Sequence, residues 1–116
     1  MESCACLLKE CLSVVEDKGI SVSSVRSLGG AARSELWLQM KADMLGLPIE
    51  RPACSDAASL GAAMLAAAGT GQFSTVEEAA DAWYRPIRVF DPDPGIYALY
   101  NDVFQRYQSL YDRLYR

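Results

Sequence analysis

The 116-residue chain contains no histidine. That removes imidazole general bases and every Ser–His or Cys–His nucleophile pair, so chemistry carried by this chain would fall to carboxylates, lysines or a bound metal. Basic residues are also scarce, 11 Lys and Arg against 15 Asp and Glu, for a net charge of −4. An acidic chain with scattered cations lacks the electrostatic footprint of nucleic-acid binding, and no nucleic-acid partner is expected. No apolar run is long enough to span a bilayer, so no membrane partner is expected. The Met1-Glu2-Ser3 start has neither the basic residues nor the apolar stretch of a secretory signal. A cytoplasmic location follows as the expectation.

Of the four cysteines, Cys4, Cys6, Cys11 and Cys54, three fall within eight residues of one another rather than spreading into a disulfide framework. Without histidines or a second Cys pair they do not match zinc-ligand spacing, so they are expected to be reduced, small buried hydrophobes, with no metal ligand in the chain. What is present is ordinary globular material: 51% hydrophobic, 22% charged and 9% aromatic residues.

Helical spacing of Cys4, Leu7/Leu8, Cys11/Leu12 and Val14/Val15 predicts a helix over 2–18, stopped by Gly19. It opens without a linker or a clear cap, as if cut from something longer. Ile20–Leu28 reads as a short strand running into Gly29-Gly30. Ser34 fits the N-cap of a helix over 34–45, with Leu36, Trp37, Met40 and Met44 as its apolar face and Gly46 as its stop. The two prolines of residues 47–52 would confine that extended segment to a sheet edge. Ser55 or Asp56 can cap an alanine-rich helix over 57–68, and Ser74-Thr75-Val76-Glu77-Glu78 carries a doubled capping-box signal for a helix ending near Trp83. Residues 85–94 read as extended. Asp93-Pro94 then opens a helix over 95–115 with Tyr97, Tyr100, Phe104, Tyr107, Tyr111 and Leu114 in an aromatic stripe. Packing of that stripe on its own domain is the plainer expectation. Two short strands cannot make a stable sheet, so the chain reads as one side of an α/β domain.

The segment with binding character is Gly29-Gly30-Ala31-Ala32-Arg33-Ser34, at a strand-to-helix junction where backbone amides and a helix start favour anions. It is neither a Walker A loop nor Gly-x-Gly-x-x-Gly, and a Gly-Gly pair by itself is more often only a turn. Arg33 could meet a phosphate or stay solvated; Asp91 and Asp93 read as turn and cap residues rather than as a metal pair.

This loop, with Glu35-Leu36-Trp37, then Ala42-Asp43-Met44-Leu45-Gly46-Leu47-Pro48-Ile49, Asp56-Ala57-Ala58-Ser59-Leu60-Gly61-Ala62-Ala63 and Gly69-Thr70-Gly71, resembles the C-terminal domain of the FGGY carbohydrate kinases. The first helix and the Tyr-rich last helix fit too, and the xylulose-kinase-type members are the most similar. The resemblance implies an α/β, ribonuclease-H-like (actin-like ATPase) fold dominated here by helices. Residues 1–116 would be the nucleotide-side segment of a kinase that moves the γ-phosphoryl of ATP, with Mg²⁺, to a sugar hydroxyl. By position, Gly30 and Ser34 would contact the nucleotide and Gly29 would permit the turn. Ser34 could instead simply cap its helix. Ala31 departs from the commoner triple glycine. The catalytic base, the sugar-binding residues and the first phosphate loop match nothing here, so the chain alone is expected to be inactive, its sugar-binding N-terminal domain absent. A non-catalytic interaction or dimerisation module is the alternative, with marginal stability or self-association expected from uncovered apolar surface.

Overall fold

A computed structural model describes residues 1–54 and 56–115, apart from the side chain of Tyr111. Ser55 as a cap, and Tyr111 as a member of the aromatic stripe, lie outside the described residues. The element order is α1 (Glu2–Asp17), β1 (Val25–Arg26), a 3₁₀ turn (Gly30–Arg33), α2 (Glu35–Leu45), β2 (Ile49–Pro52), α3 (Ala57–Gly69), α4 (Val76–Trp83), β3 (Pro86–Phe90) and α5 (Pro94–Tyr115).

The helix boundaries follow local chemistry. The Ser34 hydroxyl accepts from the Trp37 N–H, the Asp56 carboxylate from that of Ser59, and the Thr75 hydroxyl from that of Glu78. Glu78 reaches back to accept from the Ser74 N–H at 2.8 Å, one residue before the Thr75 cap, a variant of the capping box. Asp93 accepts from the N–H groups of Gly95 and Ile96 to start α5. Helix α1 stops at Lys18, and Gly19 behind it takes the left-handed conformation at φ +80°. The side-chain caps satisfy N–H donors that a helix start otherwise leaves bare, and the turn behind α1 satisfies carbonyls of its last turn.

The strands form one sheet in the order β1-β2-β3, with β1 parallel and β3 antiparallel to β2. This corrects the two-strand reading: β3 is a third strand, and the stretch read as a strand over Ile20–Leu28 pairs only at Val25–Arg26. It also corrects the placement of β2, which is the middle strand rather than an edge. The prolines do not forbid this, because neither missing N–H falls within the regular ladder. Pro48 precedes the strand and its carbonyl accepts from the Val25 N–H at 3.0 Å. Pro52 ends the strand opposite Pro86, at a register irregularity that leaves Ile87 as the extra residue.

Helix α2 covers one sheet face with α1 beside it, and α5 packs in turn on α1 and α2. Leu38, Ala42 and Leu45 of α2 pack with Ile49 and Phe90, and Leu8 and Leu12 of α1 close over them. A second cluster joins Ala5 and Cys6 of α1 to Met44, Trp37, Tyr100, Val103, Phe104 and Tyr107. Being sandwiched, α2 buries two stripes, and this displaces the expected single face: Leu36 is exposed. The expected face of α1 is likewise rotated. Cys6 is buried, but Cys4 and Cys11 are exposed along with Leu7 and Val14, because Ala5, Leu8 and Leu12 point inward. Only one of the four free cysteines therefore behaves as a buried hydrophobe. The aromatic stripe of α5 does pack on its own domain through Tyr100, Phe104 and Tyr107, while Leu110, Leu114 and Tyr115 stay exposed.

Helices α3 and α4 pack on each other near the other sheet face, with Phe73 and Trp83 edge to face at 5.4 Å. Tyr84, just past α4, ties this pair to the sheet. Its hydroxyl donates to Glu50 at 2.8 Å, and the Arg26 guanidinium lies 3.9 Å over its ring.

Candidate functional site

Strand β1 extends by one backbone bond, from the Ser27 N–H to the Glu50 carbonyl, and then leaves the sheet at Leu28. The turn that follows needs glycine at its first position: Gly29 has φ +81° and ψ −171°, which side-chain-bearing residues rarely adopt. Gly30 carries no such requirement. Its backbone is unstrained, and a Cβ built there meets no atom within 4 Å, so the space above it is open.

The chain then closes one 3₁₀ turn. The Ala32 N–H donates to the Gly29 carbonyl at 3.1 Å and the Ser34 N–H to that of Ala31 at 3.3 Å. Ala32 is buried beneath the turn. The N–H groups of Gly30 and Ala31 have no partner among the described residues. Two consecutive free amides over open space, beside the start of an 11-residue helix, form an electropositive backbone surface suited to an anion.

Ser34 sits at the junction of the 3₁₀ turn and α2. Its oxygen accepts from Trp37 at 3.3 Å, while its own hydroxyl proton has no acceptor among the described residues. The two roles considered for it are thus compatible: the oxygen caps while the proton remains available to a ligand. Glu35 follows at the first position of α2, and both Arg88 and Arg51 hold its carboxylate. It is therefore not free to take a cation. Asp93 is engaged as a helix cap, and the Asp91 backbone carbonyl accepts from the Gln39 side chain at 2.9 Å.

Composition and spacing did not reveal a contact under the loop. Lys41 reaches from α2 to donate to the buried Ser27 hydroxyl at 3.1 Å and lies 5.0 Å over the Trp37 ring. Burial pushes the Lys41 ammonium below its ordinary pKa. Ser27 is two residues before Gly29, so this bond fixes the strand end from which the glycine turn departs. The signal was a lysine seven positions beyond a helix cap, which local pattern alone does not distinguish from a solvated residue. At Leu28 a mostly apolar hollow of about 190 Å³ lies between Arg26, Tyr84 and the Ala57, Leu60, Gly61 and Met64 positions of α3.

Residues 1–70 match the model of the C-terminal domain of the FGGY family of carbohydrate kinases. The chain belongs to that family. The FGGY match takes in α1, the glycine loop, α2, β2 and α3, so the free amides lie inside it. A xylulose kinase of Staphylococcus epidermidis is 33% identical over 109 residues, covering 94% of this chain and 21% of the relative. The crystal structure of a xylulose kinase from Brucella ovis superposes with a TM-score of 0.85 at 27% identity, over 97% of this chain and 23% of that one. A Plasmodium falciparum glycerol kinase solved with ADP shares the fold, with a TM-score of 0.78 at 22% identity, over 99% of this chain and 23% of that one. The chain therefore spans about a fifth of the length of the relatives it matches. Its architecture is the actin-like ATPase fold of these kinases, helix-rich with a small sheet. Among the described residues no helix is long and apolar enough to cross a membrane.

Proposed function

We propose that residues 1–116 supply the nucleotide-side part of an ATP-dependent FGGY sugar kinase, one that transfers the γ-phosphoryl group to a sugar hydroxyl. A pentulose of the xylulose type is the favoured acceptor, in keeping with the xylulose kinase relatives. The observation that carries the nucleotide reading is the pair of unpartnered amides at Gly30 and Ala31, over open space at the carboxyl end of β1. Gly29 sets the turn, Gly30 brings bare backbone to the phosphates, and Ser34 donates its free hydroxyl proton.

The loop fits a nucleotide but offers no ligand for its Mg²⁺, since the adjacent Glu35 is taken up by two arginines. No catalytic base is assigned within the chain. The sugar site and the base belong to the sugar-binding domain of a complete kinase, and this chain alone is expected to be inactive. A cytoplasmic setting, with ATP and a reducing environment, suits four free cysteines.

Titration of the isotope-labelled chain with Mg-ATP, and separately with ADP, tests this by NMR. Saturable amide shifts at Gly30, Ala31 and Ser34 support it; no shift there at millimolar nucleotide refutes a surviving nucleotide half-site. The second reading, an interaction or dimerisation module, rests on the exposed Leu7 and Val14 of α1 and Leu110 and Leu114 of α5. Sedimentation of a clean monomer at high concentration counts against that one.

A further inference from the structure

The parallel strands β1 and β2 end on the same side of the sheet, one in Gly29-Gly30 and the other in Arg51-Pro52-Ala53. Ligands of α/β sheets gather outside the carboxyl ends of parallel strands. Beside the glycine loop on that side lies a cavity of about 250 Å³, lined by Ala32, Arg33, Arg51, Pro52, Ala53 and Ile87. Ile87 supplies an apolar wall, and its place in the lining follows from the register irregularity opposite Pro52.

The charges around this cavity do not balance. Arg51 lies 3.7 Å from Glu35, but Arg88 engages the same carboxylate, so one negative charge serves two guanidiniums. The Arg33 guanidinium makes no ion pair and no hydrogen bond among the described residues. Three arginines against one glutamate leave a local excess of two positive charges, in a chain whose net charge is −4. The Arg51 side chain is only 29% exposed, so its charge is less screened than one standing in solvent. The α2 start and the core are built without the Arg33 guanidinium.

We infer that this cavity binds the phosphate group of a small molecule, with Arg33 and Arg51 as its two charged donors. Guanidinium groups bind phosphate oxygens through paired, charge-assisted hydrogen bonds. The volume exceeds that of a bare phosphate, and the Ile87 wall leaves room for a short carbon skeleton. A phosphate could arrive on a small phosphomonoester or on a nucleotide lying across the neighbouring turn. The inference does not depend on the nucleotide reading, because its donors are side chains rather than the Gly30 and Ala31 amides.

The test follows the Arg33 and Arg51 Nε–H signals of the labelled full chain by NMR, at constant ionic strength held with chloride. Inorganic phosphate, glycerol phosphate and ADP are added in separate titrations. The expected result is a saturable shift of both guanidinium signals, with affinity falling about tenfold in Arg33→Gln or Arg51→Gln. A response to the two small phosphates identifies a free phosphomonoester as the source; a response to ADP alone identifies the nucleotide, and both leave the phosphate site standing. No response to any of the three overturns it, as does an unchanged affinity in Arg33→Gln, an exposed position whose loss leaves the fold intact. Amide shifts at Gly30 and Ala31 are read in the same spectra, so failure of the nucleotide reading is visible separately.

Discussion

Gly46 joins two constraints that can be separated by experiment. It ends α2 in the left-handed conformation at φ +69°, and its N–H closes the last turn on the Ala42 carbonyl at 2.8 Å. A Cβ placed there would lie 2.6 Å from one ring carbon of Tyr97 and 3.0 Å from two others, well inside van der Waals contact. Gly46→Ala is therefore expected to cost about 1–2 kcal/mol for the backbone conformation. Moving the Tyr97 ring, which also carries the Lys9 ammonium 4.7 Å from its centroid, adds roughly 1–2 kcal/mol. Urea unfolding should show a total loss near ~3 kcal/mol, and the melting temperature should fall by roughly 10 °C or more. Repeating the substitution in a Tyr97→Ala background removes the clash but not the backbone term. The cost of Gly46→Ala there should drop to about 1–2 kcal/mol. An equal cost in both backgrounds would show that the ring is not what the added methyl meets. A loss under ~0.5 kcal/mol in the parent chain would refute the whole construction.

Gly29→Ala meets no neighbour, so it isolates the conformational term alone: about 1–3 kcal/mol of stability, with loss of the nucleotide-induced shifts at Gly30 and Ala31. Asp43 is 6% exposed and accepts from the Asp93 N–H at 2.8 Å and from Gln39 at 2.9 Å. Asp43→Ala should destabilise by roughly 2–4 kcal/mol in urea unfolding, because it leaves the α5 start without its anchor. Tyr84 is pushed up to about 12, first by burial and then by its hydrogen bond to Glu50. The raised value means the folded state holds its proton longer than the unfolded chain. Its stabilising effect is thus complete below pH 10 and lost as pH rises from 10 toward 12. Unfolding curves across that window should fall more steeply for the parent chain than for Tyr84→Phe; parallel curves would remove the role given to this bond.

Much of the helical framework was legible because its signals are local. Ser34, Asp56, Thr75 with Glu78, and Asp93 each act on an N–H two to four residues away, and each caps where its residue type says it should. The glycine loop was legible for the same reason, since Gly29 must be glycine for its own backbone. What failed to show depended on partners distant in the chain. The inward face of α1 is set by α2 and α5, and with Cys4, Leu7 and Cys11 as apolar as Ala5, Leu8 and Leu12, periodicity had two answers. Strand β3 is short, with only Phe90 buried and prolines and aspartates at its flanks, so its Ile87, Val89 and Phe90 gave no alternating pattern. Arg33, Arg51 and Glu35 come together only after β2 has been placed between β1 and β3.

That central placement of β2 also explains why the two sheet faces differ in kind. Ile49, paired with Phe90, faces the α1–α2–α5 layer and is fully buried, whereas its neighbour Glu50, paired with Val89, faces the other way. On that second face Glu50 meets Arg26 at 3.4 Å and the Tyr84 hydroxyl at 2.8 Å. The α3–α4 pair is therefore joined to the sheet through a charged, hydrogen-bonded contact rather than an apolar one. Such contacts are directional and contribute less per residue than the opposite core. The glycine loop lies at the border between these two regimes, its base fixed by Lys41 and Ser27 from the well-packed side and its other flank open toward Leu28 and α3. A turn so placed has its base held from beneath while the Gly30 backbone stays uncovered.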